Sequence, residues 1–76
     1  MKPSRRTQVI KGIEAIQRGT HFSAHDLKHQ MVESRLQTPT INEIGSMLRF
    51  LERDGWVQRM SQERNGLVYS HGRRFN

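Results

Sequence analysis

Three polar side chains at helical spacing are the residues of this sequence best suited to specific chemistry. Asn42, Ser46 and Arg49 follow one another at intervals of four and three residues, which places them on one face of a helix. An Asn amide can bond an adenine edge, an Arg guanidinium a guanine edge, and a Ser hydroxyl a base or a phosphate. The stripe predicts base reading in a DNA major groove, although the same residue types are ordinary on the solvent face of an amphipathic helix.

The helix that carries this stripe is predicted to begin near Ile41 and to end before Gly55. Thr40 with Glu43 three positions later predicts a capping box at its start. Arg53 also lies on the polar side, but a cation near a helix end complements the helix dipole without any ligand. The opposite side is apolar and predicts core contacts, through Ile41, Ile44, Leu48 and Leu51.

Two further helices and a hairpin must position this helix. Ser4 predicts a cap for a first helix over residues 5–18, and Ser23 a cap for a second helix to about residue 33. Phe22, just before the second helix, is predicted to enter the core. Strand-forming runs cover residues 56–61 and 67–71, and the turn signal Asn65-Gly66 between them predicts a hairpin. A two-residue turn there sets Gln62 opposite Tyr69, unless a bulge changes the register.

The composition limits the kinds of function. A chain of 76 residues buries only about 60% of its unfolded surface, so an enclosed catalytic pocket is not expected and we predict no enzyme. Thirteen Lys and Arg against seven Asp and Glu give a net charge of +6, which favours a polyanionic partner or simply maintains solubility. The sequence has no apolar run of the ~20 residues that a membrane span needs, so we expect a soluble cytoplasmic protein.

Four histidines raise the question of a metal site. His25 and His29 are spaced to face one ion from a single helix, but neither a carboxylate nor a cysteine completes an evident ligand set. A solvated face is therefore the favoured interpretation, and we expect neither a metal nor another cofactor.

The order helix, short strand, helix, turn, helix, hairpin resembles a winged helix-turn-helix domain of the α+β class. The segment FSAHDL resembles the entry into the second helix of that superfamily, LERDGWV the passage from recognition helix to wing, and RNGLVYS the wing tip and returning strand. The resemblance covers about residues 7–71. We therefore interpret residues 1–76 as one winged helix domain, with an ordered core over about 5–71 between a flexible basic N-terminus and a flexible C-terminal tail.

The resemblance implies double-stranded DNA binding, with the third helix in the major groove and the wing on the backbone. Thr38 and Thr40, at the helix start, are placed for phosphate contacts. Arg64 and Asn65 at the wing tip would approach phosphates with help from Arg59, although Arg64 also suits a plain charged hairpin tip. The expected role is that of a small transcriptional regulator, as a homodimer on a two-fold site.

A protein-interaction module is the alternative function. Phe50 is predicted to be exposed, which suits a partner or dimer contact as well as a local contact with the wing. A winged helix of this kind would act as an accessory or inhibitor of a larger nucleic-acid-processing complex.

Overall fold

The computed structural model describes residues 4–63 and 66–75. The chain forms the helices α1 (Arg5–Ala15), α2 (Ala24–Glu33) and α3 (Ile41–Arg53), then the strands β1 (Val57–Glu63) and β2 (Gly66–His71). The two strands pair antiparallel, and we call this hairpin the wing. The arrangement is the predicted winged helix-turn-helix fold of the α+β class. None of the helices in the described ranges has the length and apolar character that crossing a membrane requires.

Each helix begins at its predicted N-cap residue. Ser4, Ser23 and Thr40 each accept a hydrogen bond from the backbone N–H three residues later, at 3.1, 3.2 and 3.2 Å. The capping box is complete at Ser23, because Asp26 accepts in return from the Ser23 N–H at 3.0 Å. In α3 the predicted return bond is replaced, since the Glu43 carboxylate accepts from the Thr40 hydroxyl and from a distant arginine instead.

Helices α2 and α3 are each followed, two residues after their last residue, by a residue with left-handed backbone conformation. Gly55 (φ 86°) ends α3, and the N–H of Trp56 then reaches back to the Leu51 carbonyl at 2.9 Å. Arg35 (φ 56°) has the same position after α2, although a residue with a Cβ adopts this left-handed conformation less readily than glycine does. Helix α1 ends earlier than the predicted residue 18, because Ile16 takes an extended conformation that turns its side chain into the core.

The core lies where the three helices and the base of the wing meet. Gly12 brings α1 close to α2, since a Cβ at this position would lie 2.5 Å from Met31 Cγ. Burial of each large apolar side chain contributes about 1.5–3 kcal/mol to folding. The fully or almost fully buried apolar residues are Val9, Ile13, Ile16, Phe22, Leu27, Met31, Ile44, Leu48, Leu51, Val57 and Tyr69.

The register of the wing differs from the prediction. Gln62 pairs with Leu67, whereas Tyr69 pairs with Arg59, and an irregularity between Arg59 and Ser61 separates the two parts of the ladder. The extra residue, Met60, shifts the pairing by one position, as a β-bulge does. Tyr69 also forms a two-way backbone bridge with residue 22, with both N···O distances at 2.8 Å. The predicted tip residues 64 and 65 lie outside the described residues.

The C-terminal segment packs on the body, although no periodicity after residue 71 indicated this. Residues Arg73–Phe75 form a 3₁₀ helix, and Phe75 contacts Trp56 and His71 edge to face, with ring centroids 5.6 and 5.2 Å apart. The N–H of Gly72 donates to the Trp56 carbonyl at 2.8 Å. Aromatic contacts and backbone hydrogen bonds thus join the C-terminal segment to the base of the wing.

Candidate nucleic-acid interface

An open groove of about 490 Å³ runs between α3 and the wing. The structure brings the predicted base readers together, since Asn42, Ser46 and Arg49 all line this groove and are all exposed. Leu67 and Tyr69 line it from the wing. Ile41, predicted as a core residue, is only half-buried and also borders the groove. The polar stripe of α3 therefore forms a wall of a groove and is not an isolated solvent face.

Two predicted DNA-binding arginines lie near the buried phenol of Tyr69. Burial raises the pKa of Tyr69, the nearby Glu52 carboxylate raises it further, and the positive charges of Arg59 and Arg49 act against this rise. Arg59 also lies 3.9 Å from Glu52, measured from Nε to the carboxylate oxygen. Two guanidinium groups and one carboxylate thus surround Tyr69 at the groove. Sequence reasoning did not identify Tyr69 as a site residue, because the alternation in the strands did not indicate which face of the wing is buried.

The start of α3 borders a separate, smaller hollow of about 140 Å³. Thr38 and Thr40 line this hollow and do not border the groove in the described structure. The Thr38 hydroxyl donates to the Leu36 carbonyl at 3.0 Å, and the Thr40 hydroxyl caps the helix. Because both hydroxyls have local partners, phosphate contacts at this end would depend mainly on backbone N–H groups.

Two neighbouring arginines of α1 contact the two ends of α3. Arg5 forms an ion pair with Glu43 in the first turn of α3. Arg6 lies 2.7 Å from the carboxylate of Asp54, the C-cap residue of α3. The Glu43 charge, which would repel phosphate, is therefore offset by Arg5. Sequence reasoning gave Arg5 no such partner. The only signal was that positive charge at the start of α1 opposes the helix dipole and so needs another explanation.

The remaining candidate features are Phe50 on α3 and the histidines of α2. Phe50 has 65% of its surface exposed, as predicted, and His25 borders the groove beside α2. His29 lies 3.1 Å from the Glu33 carboxylate on the exposed side of α2. Within residues 4–63 and 66–75, no three His, Cys, Asp or Glu side chains come together as a possible metal site. Arg64 and Asn65, the predicted wing-tip contacts, fall outside these ranges.

Comparison with known proteins supports the fold. No protein-family model matches the chain, and no curated protein sequence does so. Among solved structures, the ferric uptake regulator of Francisella tularensis with iron superposes with a TM-score of 0.71 at 19% identity, over 96% of this chain and 55% of that one. The Helicobacter pylori ferric uptake regulator Fur, described with three functional metal binding sites, superposes with a TM-score of 0.66 at 20% identity, over 90% and 44%.

The chain thus spans about half of the length of these two regulators. At such identities the likeness establishes a shared three-dimensional arrangement, which here covers nearly the whole of this chain. The winged-helix fold is the conclusion that the helices, the wing and the solved structures support together.

Proposed function

We propose that this chain binds double-stranded DNA sequence-specifically, as a transcriptional regulator. One observation carries the proposal: Asn42, Ser46 and Arg49 stand exposed in the same wall of an open groove that the wing borders. The net charge of +6 suits a polyanionic ligand. The structural likeness to two ferric uptake regulators supports a regulatory role of the same general kind.

In the proposed complex, α3 lies in the major groove, which is wide enough for one α-helix. Asn42 would bond an adenine edge, Arg49 a guanine edge, and Ser46 a base or a phosphate. Arg59 would neutralise backbone phosphate along the wing, together with the tip residues Arg64 and Asn65. The backbone N–H groups at the start of α3, next to Thr38 and Thr40, would contact phosphate on the other side.

A homodimer is the proposed binding unit. A single DNA-binding module of this size buries about 600–1,000 Å² of protein surface on DNA, which is small for a tight specific complex. Two copies on a two-fold symmetric site would double the contacts and make the spacing of the half-sites part of the specificity.

Selection of bound duplexes from a random pool tests the proposal. We expect a consensus with two related half-sites. Asn42→Ala or Arg49→Ala should then weaken binding to the selected duplex by about 10-fold or more, since one bidentate base contact discriminates by about 1–3 kcal/mol. Binding to random duplex should change little for Asn42→Ala, whereas Arg59→Gln should weaken both duplexes similarly. Lys11→Gln, on the exposed side of α1, is the control.

The proposal fails if neither selected nor random duplex binds at moderate salt. Such a result would favour the second candidate function, a protein-interaction module, which the 65% exposure of Phe50 supports. Phe50→Ala separates the two candidates. It should leave DNA affinity unchanged if α3 reads DNA, and it should abolish salt-insensitive binding to a protein partner if Phe50 is the contact.

A further inference from the structure

We infer that a second hollow, at the C-terminal end of α3, binds a phosphate of the DNA backbone through Arg53 and Arg73. This inference rests on the proposed DNA binding and extends the contact surface beyond the groove. The hollow has a volume of about 240 Å³ and is lined by both arginines, with Gln58 of β1 beside them. It brings together side chains from three parts of the chain: α3, the wing and the C-terminal segment.

The position of Arg53 follows from the helical repeat. Arg53 comes four residues after Arg49 and continues the same polar stripe of α3. At a rise of about 1.5 Å per residue, Arg53 lies ~16 Å along the axis from Asn42, whereas the major groove is ~12 Å wide. When the first part of the stripe reads base edges, the last part therefore extends to the level of the phosphates. Helix-dipole stabilisation explains Arg53 alone, but it does not explain why a second arginine meets it there.

Hydrogen bonds of the neighbouring residues place the backbone of Arg73 beside the end of α3. Its side chain crosses the end of α3 at Gly55, where a Cβ would lie 2.7 Å from Arg73 Nε. The neighbouring N–H groups of Gly72 and Arg74 donate to the carbonyls of Trp56 and Gly55 at 2.8 and 3.1 Å. These backbone bonds keep Arg73 beside the hollow, and its side chain is exposed there to a ligand.

The charges around the hollow favour an anion. Glu52 also lines the hollow, but its carboxylate lies near Arg59, at 3.9 Å. Asp54, the other nearby acid, is paired with Arg6 at 2.7 Å. Among the described residues, neither Arg53 nor Arg73 forms an ion pair. Arg53 and Arg73 against Glu52 leave the lining of the hollow with a net positive charge, and guanidinium groups are suited to the oxygen atoms of a phosphodiester.

The salt dependence of DNA binding tests this inference. The double variant Arg53→Gln with Arg73→Gln should lower the slope of log affinity against log salt by about 0.9, the effect of one phosphate contact. Affinity for the selected duplex and for random duplex should fall together, because a phosphate contact carries no sequence information. The matched control is Lys11→Gln with Arg35→Gln, which removes the same charge from exposed positions outside the hollow.

Two further measurements keep the test decisive. The variant Arg53→Lys with Arg73→Lys should retain the slope, which separates the loss of charge from a disturbed fold. Ethylation of individual phosphates should interfere with wild-type binding at one position beyond the base-read region, and this interference should disappear in the double Gln variant.

A double Gln variant with the same slope as the matched control overturns the inference but not the proposed function. Absence of any duplex binding by the wild type overturns both.

Discussion

Nε2 of His71 lies 2.7 Å from the carbonyl oxygen of Ile13 and joins the end of the wing to α1. Because a carbonyl oxygen can only accept, Nε2 is the nitrogen that carries the proton. The ring is buried between Phe22 and Phe75, with centroid distances of 5.8 and 5.2 Å. His71 is therefore a structural residue at the base of the wing, although histidine usually suggests metal or proton chemistry.

Replacing His71 should destabilise the whole domain. His71→Ala removes one buried hydrogen bond and two aromatic contacts, and we expect the free energy of unfolding to fall by about 2–3 kcal/mol. Urea denaturation followed by the fluorescence of Trp56, the only tryptophan, measures this change. His29→Ala, on the exposed side of α2, should change stability by less than about 0.5 kcal/mol. Equal effects of the two variants would contradict the structural role of His71.

Replacing Gly72 or Gly45 by alanine should change the stability of the fold in opposite directions. A Cβ at Gly72 would lie 2.3 Å from the Gly55 carbonyl oxygen and 2.7 Å from Val57 N, so the backbone would have to move. We expect Gly72→Ala to cost about 2–3 kcal/mol of stability. A Cβ at Gly45, inside α3, meets nothing within 4 Å, and Gly45→Ala should add about 0.5–1 kcal/mol. Thermal unfolding of both variants checks the prediction, which fails if Gly72→Ala unfolds like the wild type.

Stability should decline at alkaline pH because of Tyr69. Burial raises its pKa in the folded state above the unfolded value of 10.0, so the folded state holds the phenol proton more tightly. The free energy that this pKa shift contributes to folding is fully present below pH 10 and is lost as the pH rises through the folded-state pKa of Tyr69. Tyr69 is the only tyrosine, so the ultraviolet absorbance of tyrosinate reports its titration directly. Tyr69→Phe should flatten this part of the stability profile, and a titration midpoint at or below 10 would contradict the assignment.

The helices were predictable because their signals are local. Ser4, Ser23 and Thr40 cap within three residues of themselves, and the apolar spacing of α3 identifies its buried side without knowledge of any partner. The wing register was predicted wrongly because Gly66 pairs with Glu63 as a strand residue, whereas the prediction used it as a turn residue, and the bulge at Met60 shifts the rest of the ladder by one further position. The packing of Phe75 could not be predicted either, because its contacts with Trp56 and His71 join distant parts of the chain.

In the candidate site too, the features that depend on local spacing were predictable, and those that depend on tertiary contacts were not. Helical spacing alone brings Asn42, Ser46 and Arg49 together, and the structure places them on one groove. The charges around them could not be assigned from sequence, since folding alone brings Arg5 to Glu43 and brings Arg53 and Arg73 to one hollow. The sequence thus predicts which side chains of α3 share a face, and the tertiary structure determines which charges lie near them.

Because Arg5 and Arg6 are adjacent, opening of the first turn of α1 affects the ion pairs at both ends of α3. Both residues lie in the first turn of α1, and terminal turns of helices open with much smaller free energies than the core does. A single opening of this turn therefore releases Glu43 and Asp54 together. Amide hydrogen exchange at Thr7 and Gln8, whose N–H groups donate to Ser4 in that turn, would report how often the turn opens.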